Sequence, residues 1–291
     1  MAIIPESEMI LRPRGSVYHL DLLPEEIADT ILTVGDPERV NEVSKYFDHV
    51  EILRHHREFV THTGTIGKKR LTVVSTGIGT DNVDIVLTEL DALVNIDLKT
   101  RLVKKRLKPL RIIRVGTSGA LQPDIQVDSV IASEYALGMD NLLNFYQLQH
   151  PAFEKELLLS FLEHVQENHI AFIPYIAGCS VSLMGLFEGV GHKGITVTCP
   201  GFYGPQGRKL RAEPAFPQLL SQLSTFTLDG HRITNFEMET SGIYGMSRLL
   251  GHEAISLNVV VANRMKKKFS SDPHKAVDAL IRLTLERITS E

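Results

Sequence analysis

The spacing of apolar and polar positions predicts strands and helices in alternation. Ile31-Leu32-Thr33-Val34-Gly35 is a short apolar run that ends at a turn, as a buried strand does. Residues 58–66 and 70–76 read as two strands separated by Gly67-Lys68-Lys69, a hairpin. Residues 84–98 place Ile85, Leu87, Leu90, Leu93 and Val94 at helical spacing. Residues 112–115 and 129–132 predict further buried strands, and 154–165 an amphipathic helix. Residues 172–176 and 255–261 read as strands from the centre of a sheet. Ser271-Asp272-Pro273 opens a last helix, with Asp272 as N-cap and Pro273 in the first turn. Helices interleaved with apolar strands predict an α/β fold, a three-layer αβα sandwich around a central mixed β-sheet. Without a Pro/Gly/Ser linker or an internal repeat, residues 1–291 read as a single domain.

Composition narrows the classes. Hydrophobic residues make up 43% and charged residues 23% of 291, the balance of a globular chain with a sizeable core. The net charge of −4 argues against a basic coat for nucleic acid or an anionic membrane. Lys- and Arg-rich stretches at 99–111 and 266–268 lack interleaved aromatics and read as solvated surface, the first at a helix end. Cys179 and Cys199 are too few for a disulfide framework and fit a reducing cytoplasm. Residues 1–14 hold no long apolar stretch, so no secretory signal is expected, and no run reaches membrane-spanning length. The 12 histidines show no His-Glu-x-x-His spacing and the cysteines no Cys-x-x-Cys, so no metal site is expected. No Gly-x-Ser-x-Gly elbow points to a serine hydrolase.

Five stretches carry candidate chemistry, each with a plain structural alternative. Gly35-Asp36-Pro37-Glu38-Arg39 follows a strand, where free N–H groups at a helix start attract anions and Arg39 adds a charge. The same residues also make an ordinary capped turn. In Arg114-Val115-Gly116-Thr117-Ser118-Gly119-Ala120, the glycines admit a close ligand and two hydroxyls stand ready, or the segment is a β-bulge or tight turn with Arg114 salt-bridged to a carboxylate. An inward Arg114 requires an anionic partner. Gly77-Ile78-Gly79 begins like a dinucleotide fingerprint, but Asn82 occupies the last glycine position, so the segment reads as a turn. Glu237 and Glu239 flank Met238 at spacing two, which on an extended segment points both carboxylates to one face. They suit the hydroxyls of a sugar, an acid/base pair or an exposed strand edge; Met238 fits a core as well as a ligand contact. Finally, Phe202, Gln206 and Arg208 bring an aromatic ring, an amide and a guanidinium into one loop, a set that matches a planar ring with carbonyl and N–H edges, or a surface loop.

In this order the motifs resemble the nucleoside phosphorylases of the single-domain α/β type, most like their uridine-cleaving members. The resemblance runs from Val17-Tyr18-His19-Leu20 to Val261-Ala262-Asn263-Arg264 and includes His56-Arg57-Glu58-Phe59 and Gln122-Pro123. It implies reversible phosphorolysis, in which phosphate attacks C1′ and releases uracil and ribose 1-phosphate. By that resemblance Gly35, Arg39, Arg114 and Thr117 hold phosphate, with Arg57 from a neighbouring subunit. His19, also the neighbour's, bonds the ribose 5′-hydroxyl; Glu239 holds the 2′- and 3′-hydroxyls, and Met238 packs on the sugar. Gln206 and Arg208 read the uracil edge, Phe202 faces the base, and Glu237 and Arg264 support the pocket. Arg208, Gln206 and Arg114 carry the catalytic load.

The resemblance implies no cofactor, phosphate being a co-substrate. It implies a homodimer or a hexamer built as a trimer of dimers; in some relatives a monovalent cation sits at the interface near the equivalents of Glu58, Ile78 and Asn82, the last of which is usually Ser, so that site stays open. Purine-cleaving relatives are expected to carry an aspartate after the late strand, where this chain has Asn263-Arg264-Met265-Lys266. A purine nucleoside phosphorylase with a remodelled pocket, and a non-catalytic nucleoside-binding protein, are the alternatives; three arginines would be superfluous in a nucleosidase. Extra residues are expected near 97–110 and 183–198, and Gly201 stands where the family has a larger residue.

Overall fold

The computed structural model describes residues 2–165 and 172–290. The first half runs β1 (Thr30–Val34), α1 (Pro37–Ser44), β2 (His49–His56), β3 (Phe59–Ile66), β4 (Lys69–Ser75), α2 (Thr80–Asn95), β5 (Ile96–Asp97), β6 (Leu102–Val103) and β7 (Arg111–Ala120). Then follow β8 (Val130–Gly138), α3 (Ala152–Val165), β9 (Tyr175–Gly178), α4 (Val181–Leu186), β10 (His192–Thr198) and α5 (Leu219–Thr225). The chain closes with β11 (Thr227–Leu228), β12 (His231–Glu237), α6 (Thr240–Leu250), β13 (Glu253–Asn263), β14 (Lys268–Phe269) and α7 (Pro273–Thr289).

The main sheet is mixed and follows the order β11-β12-β10-β8-β13-β7-β1-β4-β3-β2. Its interior strands are apolar on both faces because helices cover both. Ile31, Val74 and Ile112 pack with Val86, Leu90 and Leu93 of α2 and with Ile243 and Met246 of α6. Their neighbours Leu32, Val73 and Ile113 face the other way, onto Val40 and Val43 of α1 and Leu280, Ile281 and Leu285 of α7. These are the two cores of a three-layer sandwich. A third core joins α3 and α5 to β10 and β12 through Phe161, Leu223, Ile195 and Ile233. No helix among the described residues is long and apolar enough to cross a membrane.

One pairing bends the sheet on itself. The end of β12 pairs antiparallel with the end of β7, Asn235 opposite Ala120 and Phe236 opposite Gly119. Strands β7, β13, β8, β10 and β12 therefore close into a ring. The approach is tight, since a Cβ on Gly119 would stand 2.8 Å from the Phe236 ring.

Several expected elements are shifted. The β3–β4 hairpin forms, with Ile66 opposite Lys69, and Asp272 caps α7 by accepting from the Lys275 N–H. Helix α2 starts at Thr80, four residues before the expected position. The small residues 116–119 are not a turn: they continue β7 to Ala120, and the bulge in this region falls in β13, between Val260 opposite Ser118 and Ala262 opposite Gly119. The strand expected at 172–176 is displaced to β9, which is not central and, among the described residues, pairs only with β8. Residues 99–111 do not extend a helix; α2 stops at Asn95, and β5 and β6 form a small hairpin of their own. The segment 183–198 supplies the end of α4 and all of β10, which lies between β8 and β12.

Candidate active site

A cleft of about 680 Å³ opens where β1, β4, β7, β12 and β13 end, a size typical of small-ligand sites. At one end β1 turns into α1 through Gly35. Asp36 caps the helix by accepting from the Glu38 N–H at 2.9 Å, and Pro37 takes the first helical position. The ordinary capped turn forms, and it presents Arg39 to the cleft. Among the described residues, no protein group hydrogen-bonds or ion-pairs with the Arg39 guanidinium. Burial, and then the charge of Arg114, lower its pKa.

Arg114 is buried, and its side chain runs back along β7. Gly116 leaves the space: a Cβ there would stand 1.6 Å from Arg114 Nη1. Across the ladder, Asn258 is opposite Gly116, and its Oδ1 accepts from Arg114 Nη1 at 2.5 Å. Arg114 Nη2 bonds to Glu239 Oε2 and lies 3.3 Å from Glu237 Oε2. Burial opposes the Arg114 charge, but the two carboxylates outweigh it and hold the pKa raised. Thr117 lines the same end of the cleft.

The two glutamates divide their tasks. Glu239 is the N-cap residue of α6 and faces the cleft, its Oε1 accepting from the Gly79 N–H at 2.9 Å. Glu237 accepts from Thr198 Oγ1 at 2.7 Å and from the backbone N–H groups of Glu239 and Thr240. Its carboxylate thus closes the start of α6, where the helix dipole favours negative charge. Burial pushes its pKa up, against the pull of Arg114. A pair bracketing open space, as an acid/base pair needs, is not what the strand end builds; both carboxylates converge on one guanidinium. Met238, half-buried between them, lines the cleft.

At the opposite end, residues 201–208 form a loop around a single 3-10 turn, Gly204–Gln206. Arg208 does not reach out to solvent from it. Its guanidinium stacks 3.7 Å from the Phe202 ring centroid and donates to Phe202 O at 2.6 Å and Gln206 Oε1 at 2.5 Å. Gln206, itself buried, and Arg208 both line the cleft. Burial, then Arg264, lower the Arg208 pKa. Arg264 stands behind the loop, donating to Gln206 O at 2.9 Å.

The Phosphorylase superfamily profile matches residues 29–290. The chain belongs to that superfamily. It is 29% identical to the uridine phosphorylase of Thermococcus kodakarensis over 95% of this chain and 88% of that one. Identity to the uridine phosphorylase of Haemophilus influenzae is 26%, over 95% of each chain. A crystal structure of a Trypanosoma brucei nucleoside phosphorylase, described as showing uridine phosphorylase activity, superposes with a TM-score of 0.87 at 29% identity. That superposition covers 97% of this chain and all of the other.

Three residues assigned from resemblance to the superfamily lie outside the cleft of their own chain. Arg57 sits in the tight turn between β2 and β3, 5.6 Å from the Tyr18 ring centroid. His19 borders a separate cavity, its Nδ1 2.7 Å from Glu89 Oε1. Arg264 contacts the 201–208 loop through the Gln206 and Gly207 carbonyls. Glu58, Ile78 and Asn82 border the cleft; a carboxylate, a main-chain carbonyl and an amide oxygen are donors that suit a hard cation. Among the described residues, no group of three or more His, Cys, Asp or Glu is placed to hold a metal ion.

Two supports were not anticipated from sequence. Asn258 gives no signal in a run of strand residues; only the register with Gly116 reveals it. Gly79 was readable as a turn, and its N–H proves to anchor Glu239 across 160 positions of chain.

Proposed function

We propose that the chain catalyses the reversible, phosphate-dependent cleavage of uridine to uracil and ribose 1-phosphate. The observation that carries this reading is the Arg39–Arg114 end of the cleft. An unpaired guanidinium beside a second one in a half-buried site calls for an anion, and a hydrolase would have no use for it. The activities named for the relatives support it.

Phosphate held by Gly35, Arg39, Arg114 and Thr117 faces the sugar, which Glu239 grips through its 2′- and 3′-hydroxyls over Met238. Its oxygen forms a bond to C1′ as the C1′–N1 bond breaks, and the electron pair leaves with the base. The sugar passes through an oxocarbenium-like state between two anions, so positioning and charge stabilisation suffice and no covalent nucleophile is required. Arg208 and the Gln206 amide donate to the base edge as charge builds there, and the released uracil anion takes a proton. At the end of β13, Asn263 stands where a purine-cleaving enzyme is expected to need an acid. Its amide is fixed to the Gln122 and Ile125 carbonyls at 2.8 and 2.7 Å, which favours a pyrimidine.

Arg57 and His19 complete the cleft of a second copy, in a homodimer or a trimer of dimers. Glu58, Ile78 and Asn82 are the residues that would hold a monovalent cation at that interface; phosphate is a co-substrate, and the reaction needs no cofactor. The two free cysteines suit the cytoplasm.

Incubation with uridine, thymidine, inosine and adenosine, with and without phosphate, tests the reading. Phosphate-dependent release of uracil is expected. Release without phosphate would identify a nucleosidase, purine release alone would overturn the base assignment, and no release would leave a binding protein.

A further inference from the structure

The base end of the cleft carries an aromatic side chain to which the proposed mechanism gives no role. Phe269 is 69% exposed, yet it lines the same cleft as Gln206 and Arg208. Its place follows from the ladder. Strand β14 pairs antiparallel with β13, with Phe269 directly opposite Ala262. Directly opposed residues project to the same face of a sheet, and Ala262 also borders the cleft. Phe269 and Ala262 therefore line the cleft side by side.

The hairpin that holds this ring is firmly tied. Ser270 N–H donates to Val261 O at 2.8 Å, and Lys266 N–H to Asn263 Oδ1 at 2.7 Å. The Asn263 amide in turn anchors the hairpin to the loop after β7. Other large apolar side chains, such as Phe145 and Val181, are also exposed, but they lie away from the cleft. Phe202 is the one other exposed aromatic ring that borders the cleft among the described residues, and Arg208 already covers one of its faces.

We propose that Phe269 is the second aromatic wall of the base site and packs against the pyrimidine ring of the bound nucleoside. This rests on the reading of the cleft as a pyrimidine nucleoside site. A flat, electron-poor ring gains from an aromatic face whatever its edge pattern, so Phe269 supplies affinity while Gln206 and Arg208 supply selection. The contact exists before and during bond cleavage alike, so it acts on KM and not on kcat.

The test combines kinetics with a direct probe of binding. Phe269→Ala is expected to raise KM for uridine roughly tenfold, the scale of one lost base–aromatic stack, with kcat and the phosphate KM little changed. Phe269→Tyr, which keeps the ring, is expected to stay near wild type. The chain has no Trp, so Phe269→Trp places one fluorophore at the site, and its emission is expected to change saturably with uracil. Uridine cleavage by the wild type together with an unchanged KM in Phe269→Ala, or emission of Phe269→Trp indifferent to saturating uracil, overturns the inference and leaves the proposed function standing. Absence of uridine cleavage by the wild type overturns both.

Discussion

The guanidinium of Arg114 lies across the backbone of Gly116, two residues further along the same strand, and reaches Asn258 on the neighbouring one. The glycine that looked like a place for a ligand to approach is the bed of an arginine. Its lack of a side chain matters to the active site through Arg114.

Gly116→Ala is therefore expected to fold, because the group its methyl meets is the end of a flexible side chain. Arg114 must swing away from Asn258 and the two glutamates. A misplaced catalytic group costs on the order of 10²-fold in rate, and kcat/KM should fall by about that much; the melting temperature should fall too, because Glu237 and Glu239 lose their buried partner. Full activity in this variant would show that the position of Arg114 is unimportant.

Arg39→Ala removes the unpaired guanidinium. Hydrogen bonds to charged groups contribute about 1.5–3 kcal/mol, so KM for phosphate should rise by roughly 10- to 100-fold, with a much smaller effect on KM for uridine. Steady-state kinetics with each substrate varied in turn gives the answer; equal effects on both would move Arg39 out of the phosphate subsite.

Glu239→Gln keeps the shape of the side chain and removes its charge. The pairing with Arg114 and the grip on the sugar hydroxyls both weaken, and a loss of about 10²-fold in kcat/KM for uridine is expected. 2′-Deoxyuridine, which offers one hydroxyl fewer, should suffer less from the substitution than uridine does. Identical losses for the two nucleosides would separate Glu239 from the 2′-hydroxyl.

Arg208→Ala deletes the donor proposed to stabilise the departing base. Loss of one preorganised donor typically costs on the order of 10²–10³ in kcat. A base that leaves readily, such as 5-fluorouracil, should lessen the defect. A variant with near-wild-type cleavage of uridine takes Arg208 out of the mechanism.

If Arg57 serves the neighbour's cleft, two dead variants should rescue each other. In a hybrid of Arg57→Ala and Glu239→Gln subunits, one cleft collects both lesions and the other is intact. Random pairing of equal amounts should restore about a quarter of wild-type activity in a two-fold dimer. No recovery after subunit exchange, with hybrids verified by mass, would place Arg57 elsewhere.

Local signals were readable wherever a residue acts on its near neighbours. Asp36 and Pro37 open α1, Asp272 and Pro273 open α7, and Gly67-Lys68 turns a hairpin, all through contacts within a few residues. What escaped depends on pairing across the chain. Gly116 and Gly119 sit in a strand, against propensity, because Arg114 and the Phe236 ring fill the space a Cβ would need. Strand β10 and the N-cap role of Glu239 likewise make sense only beside β8, β12 and Gly79. Of the candidate residues, those facing the cleft came from motifs; their supports, Asn258 and Thr198, come from register and carry no motif at all.

The pairing of β12 with β7 has a consequence for how such an enzyme can change. It joins the strand bearing Arg114 and Thr117 directly to the one leading into Glu239, so the residues proposed for phosphate and sugar share one continuous piece of sheet. The loop at 201–208 and the hairpin ending in Phe269 are attached to the rim of that sheet. New base preferences can arise by altering these two appendages alone, with the apparatus that breaks the glycosidic bond inherited untouched.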